Sequence, residues 1–182
     1  MDVTPFVPEV PPMTTADWDD LPWKGVLKHI GPVVDGTPLQ VALLGKTNCA
    51  LYLIYIGCVA LCIRRTGPVL EQKLSRRVIE MAYAYQFDWR YPKLFGITID
   101  DVENKADKVT AVRRSIAYFF FEIVKRASTC FTPDRSVSEV SFIINLTRHL
   151  CGAKHRRIVD GWVKGIITRM DAIAPFAGHR CV

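Results

Sequence analysis

From residue 100 onward the apolar positions fall at helical spacing. Asp100-Asp101-Val102-Glu103 has the form of a capping box with Asp in the leading position. Val102, Ala106, Val109, Val112, Ile116, Phe119/Phe120, Ile123 and Ala127 follow it as one stripe. Ser136-Val137-Ser138-Glu139 is a second capping-box signature, with Val140, Ile143, Leu146 and Leu150 behind it and Gly152 placed to end that helix. Ile158/Val159, Trp162/Val163, Ile166, Met170 and Ile173 mark a last helix, stopped by Pro175. Upstream, Pro68 suits a first turn ahead of Leu70, Leu74, Val78, Met81 and Tyr85. The pattern predicts a mainly α fold, a C-terminal helical bundle with a few short strands in residues 23–63 and 93–99.

Those strands come from weaker signals. Trp23 to Val34 and Pro38 to Leu44 read as short strands turned at Asp35-Gly36. Ala50–Ile63 is a continuous apolar run without a usable period, either a buried helix or two strands meeting at Gly57. The uncharged stretch from Thr47 to Ile63 is 17 residues long, the bottom of the membrane-spanning range, and Asn48, Tyr52, Tyr55 and Gly57 interrupt it. It reads as a core element. Residues 1–22 read as a flexible acidic arm, since Pro5, Pro8, Pro11, Pro12 and Pro22 block regular structure, and residues 23–182 as a single basic globular domain. Within the arm Trp18 and Leu21, with Trp23 just beyond, are large apolar groups in polar surroundings, expected to dock on a neighbouring subunit.

Composition sharpens the division. The 182 residues are 49% hydrophobic and 23% charged, which excludes disordered and fibrous classes. The net charge of +6 combines an N-terminal twenty residues with five acids and no Lys or Arg with a remainder at +11. A body so basic suits an anionic partner. The six cysteines sit mostly in apolar stretches and read as reduced, buried thiols.

Catalytic and metal signatures are incomplete. Leu44-Gly45-Lys46-Thr47 contains the Gly-Lys-Thr of a phosphate-binding loop, but Gln40 stands where the loop needs its first glycine. His149, Cys151 and His155 are close in sequence without the paired short spacing of a zinc site, so no metal or cofactor is expected. No nucleophile elbow or His-Glu-x-x-His is present, and no catalytic residue is assigned. Five alternating aromatics from Tyr83 to Tyr91 read mainly as core, with Trp89 and Tyr91 the two placed to stack on single-stranded bases. Residues 105–157 carry eleven Lys/Arg against four acids. Arg113, Arg114, Lys125, Arg126, Arg156 and Arg157, with Arg76 and Arg77, are the expected nucleic-acid or anion-binding set.

A basic, thiol-bearing chain of this size with a Pro-rich acidic arm resembles structural proteins of RNA viruses, of the matrix and coat or nucleoprotein types, and some rhabdovirus matrix proteins in particular. Pro8-Glu-Val-Pro11-Pro12 is not the Pro-Pro-x-Tyr motif that many matrix proteins carry. The resemblance implies a non-enzymatic, self-associating viral structural protein whose basic face meets RNA, a ribonucleoprotein or nucleocapsid, or an anionic membrane surface. It implies residence in the host cytoplasm or virion, in keeping with the lack of a secretory leader pattern or transmembrane helix. Two other classes stay open: a nucleic-acid-binding regulator such as a silencing suppressor, and an enzyme with a dispersed site.

Overall fold

A helix with no polar flank lies at the centre of the molecule. In the computed structural model, which describes residues 7–21, 36–46, 48–67, 79–80, 109, 112–113, 116 and 133–172, four helices are delimited: α1 (Thr15–Asp20), α2 (Pro38–Leu43), α3 (Asn48–Thr66) and α4 (Pro133–Ala172). All regular structure among the described residues is helical, so the fold is mainly α. From Leu51 to Cys62 every side chain of α3 except Leu53 is buried. A helix buried on all sides has no apolar stripe, which is why this run shows no period in the sequence. No helix among the described residues is long and apolar enough to cross a membrane.

α4 wraps this central helix. Its first arm, 133–151, starts at Pro133, one turn ahead of the Ser136 signature, with proline at the first helical position. Val137, Val140, Ile143, Ile144, Leu146 and Leu150 bury the face that meets α3. At Gly152 the backbone adopts φ 62°, ψ 179°, a region that only glycine enters readily, and the helix breaks and resumes at once. The second arm, 153–172, buries Val159 and Val163 and lays Trp162 across α3 at Gly57. A methyl group on Gly57 would lie 2.6 Å from the indole, so glycine is what allows this approach. Val112 and Ile116, members of the long stripe expected from residue 102 onward, are buried in the same core.

One expectation is corrected and one open alternative is decided. Residues 38–43 form α2, not a strand: the Thr37 hydroxyl accepts the Gln40 N–H at 3.3 Å and Pro38 opens the first turn, which together favour helix over the weak alternation. Residues 50–63 are helical throughout, not two strands. The strands expected in 23–35 and 93–99 lie outside the described residues.

The N-terminal segment differs most from expectation. Thr14 and Asp17 form a reciprocal capping box that starts α1, with Thr14 N–H donating to Asp17 Oδ2 at 2.8 Å and Asp17 N–H to Thr14 Oγ1 at 3.2 Å. Val7, Val10 and Leu21 are buried in the common core, and Met13 and Trp18 pack against it. Leu21 is therefore enclosed by its own chain rather than offered to a neighbour. Trp23 lies outside the described residues.

Candidate functional site

The end of every helix leaves backbone carbonyls without partners, and this chain supplies arginines to them. Arg65, at the end of α3, is only 3% exposed. Its Nε donates to the carbonyl of Leu150 at 3.1 Å, within the last turn before the Gly152 break. Its Nη1 donates to the Pro11 carbonyl at 2.7 Å, and its Nη2 lies 3.1 Å from Asp17 Oδ2. A buried guanidinium is tolerable only when its donors are filled in this way. Hydrogen bonds from Thr14 and the charge of Arg65 together hold the Asp17 carboxyl below its ordinary value, with the Thr14 backbone contributing most. The carbonyl of Thr66 receives Arg113, through Nε at 3.0 Å and Nη2 at 2.7 Å. Arg113, expected from its charge to face an anion, instead caps α3.

The bend of α4 creates the basic groove. In a straight helix residues 148 and 160 would stand roughly 18 Å apart along the axis. Here Arg148 Nε donates to Asp160 Oδ1 at 2.6 Å, so the ion pair bridges the bend, and Arg148 Nη1 is steadied by Asn145 Oδ1 at 3.0 Å. Between the two arms lies a concavity of about 340 Å³, lined by Arg148, His149, Arg156, Arg157, Asp160 and the backbone at Gly152. Among the described residues its one carboxylate, Asp160, is already engaged by Arg148. Arg156 and Arg157 are exposed. Planar guanidinium groups set in a concave wall can grip phosphate oxygens through paired N–H bonds.

Of the residues expected to bind an anion, Arg156 and Arg157 line this groove together, while Arg113 caps α3. Arg76, Arg77, Arg114, Lys125, Arg126, Trp89 and Tyr91 lie outside the described residues. His149 was weighed only as a metal ligand, and Arg148 and Asp160 went unseen because nothing in a linear pattern pairs residues twelve apart on a helix; the signal was Gly152 itself, placed as a helix terminator. Arg64 and Arg65 close an apolar run in the sequence, and nothing in a linear pattern shows which distant carbonyls they meet.

The remaining motifs do not make a site. Gly45, in the phosphate-loop fragment, follows a helix rather than a strand. Cys58, Cys62 and Cys151 are buried thiols; burial pushes Cys58 up to about 12 and Cys151 up to about 11, and raises Cys62 well above its ordinary value. Thr147 Oγ1 has one hydrogen, best placed on the Ile143 carbonyl at 2.7 Å, so Cys62 donates its own S–H to that oxygen at 3.3 Å. Among the described residues no three His, Cys, Asp or Glu side chains are arranged to hold a metal ion. Comparison with known protein families, with curated proteins and with solved structures gives no match.

Proposed function

We propose that this chain is a non-enzymatic, polyanion-binding structural protein, matrix- or coat-like, that binds RNA through the groove at the bend of α4 and assembles with copies of itself. One observation carries the reading: Arg148, Arg156 and Arg157 line a concavity in which the only carboxylate among the described residues is already paired. A concave wall of guanidinium groups suits a phosphate backbone that can thread into it better than a flat anionic membrane. The described lining offers charge and hydrogen-bond donors, which suits the binding of an anion.

The test is binding of a labelled single-stranded RNA across a salt series, with Arg156→Glu/Arg157→Glu beside the parent. The variant weakens binding and reduces the salt slope by about 0.7 for each phosphate that it no longer neutralises. Equal affinity and slope in both proteins overturn the groove as the RNA site. Light scattering after size exclusion, with and without RNA, tests assembly: a protein of this class forms large oligomers, and a persistent monomer or dimer speaks for a regulator instead.

A further inference from the structure

The segment 7–21 buries Val7, Val10 and Leu21 in the core, and it meets the arginines at the end of α3 through oxygen acceptors. Arg64 Nη1 donates to the Pro8 carbonyl at 3.2 Å, Arg65 Nη1 to the Pro11 carbonyl at 2.7 Å, and Arg65 Nη2 pairs with the Asp17 carboxylate at 3.1 Å. The one reverse bond is Met13 N–H to the Arg65 carbonyl at 2.7 Å. The segment carries Glu9, Asp17, Asp19 and Asp20 and no basic residue. Prolines at 8, 11 and 12 restrict it before it docks, which lowers the entropy lost on docking. To the two arginines it presents what a phosphate backbone would present: negative charge and a row of oxygens.

One bond ties this docking site to the first arm of α4. Arg65 Nε holds the Leu150 carbonyl, and Leu150 shares a helical turn with Arg148 and His149 of the groove wall. If the segment lifts, that bond can persist while Nη1 and Nη2 of Arg65, and Nη1 of Arg64, lose their acceptors. We propose that residues 7–21 are an autoinhibitory strap, an internal mimic of the polyanion whose release uncovers Arg64 and Arg65 as a second phosphate-binding pair. The proposal rests on the reading of the groove as an RNA site, and it makes binding a competition between strap and RNA.

The experiment uses the full chain, a fluorescein-labelled 20-nucleotide oligouridylate and a potassium chloride series. Asp17→Asn loosens the clamp on Arg65; Asp20→Asn makes the same change of charge at an exposed position outside it and controls for general electrostatics. Asp17→Asn is expected to bind more tightly than Asp20→Asn, with a salt slope steeper by about 0.7 for each arginine newly engaged. Hydrogen–deuterium exchange of the peptide covering 7–21 supplies an independent readout: saturating RNA is expected to speed exchange in the parent protein. Equal affinity and slope for the two Asn variants, or exchange in 7–21 that RNA leaves unchanged or slows, overturn the strap. Arg156→Glu/Arg157→Glu separates the two ideas. Binding lost in that variant supports the groove, and an unchanged strap in the RNA-bound parent, or equal affinity of the two Asn variants, then sinks only the strap; binding retained in the variant while the strap opens sinks only the groove, and absence of RNA binding by the parent sinks both.

Discussion

The Nε of Arg65 lies 3.1 Å from the carbonyl oxygen of Leu150, a bond between residues 85 positions apart that joins the end of one helix to the end of another. The same guanidinium holds the N-terminal segment, so one buried side chain ties together three parts of the chain.

Arg65→Ala leaves the Leu150 and Pro11 carbonyls without their donor, at ~1–3 kcal/mol for a buried group so stranded, and is expected to destabilise by about 3 kcal/mol in urea unfolding. Asp17→Asn touches a half-exposed carboxylate screened by water, and its cost stays below about 1 kcal/mol. The Asp17 carboxyl is held below its ordinary value of 3.8, so its contribution is fully present above that value and is lost as pH falls through the lower folded value. Hydrogen exchange in 7–21, followed below pH 5, should quicken before the core opens.

Gly152→Ala places a methyl group in open space, so steric crowding plays no part. The cost is the backbone's alone, about 1–3 kcal/mol for a residue forced to keep this conformation, and chemical denaturation measures it.

Gly57→Ala is a contest between two terms. Alanine gains up to about 1 kcal/mol of helix propensity, while crowding against the Trp162 indole costs roughly 1–3 kcal/mol. The variant is expected to be less stable than the parent. In a Trp162→Leu background the same change should become neutral or stabilising, a coupling that a double-mutant cycle reads directly.

The buried thiols should resist alkylation. At pH 8 the native protein is expected to leave Cys58, Cys62 and Cys151 unmodified by iodoacetamide, and peptide mass spectrometry should find them labelled only after unfolding. Their folded values lie above the ordinary 9.0, so the contribution is intact below pH 9. As pH rises from 9 toward 11–12 the unfolded chain gives up protons that the native chain keeps, and stability falls.

The sequence was most legible where one face of a helix is buried. Val140, Ile143, Leu146 and Leu150 repeat at helical spacing because only their side of α4 meets the core, and Gly152 announced the break by its chemistry. It was least legible at two extremes. α3 is buried all round and has no period to read, while α1 and α2, each six residues long, have too few turns to show one. Both short helices did carry local punctuation, Thr14 with Asp17 and Thr37 with Pro38. At the groove, the adjacent pair Arg156-Arg157 was visible as a run of charge. Arg148 and Asp160 were not, since their meeting depends on the angle between the two arms of α4.

The all-round burial of α3 also sets the order in which the chain can be safely made. During synthesis this helix leaves the ribosome well before residues 133–172 exist to cover it, and at ~5–20 residues per second the interval is on the order of several seconds. Throughout it, a greasy rod ending in Arg64 and Arg65 is open to other nascent chains. Fragments that stop short of Pro133 are therefore expected to collect in inclusion bodies.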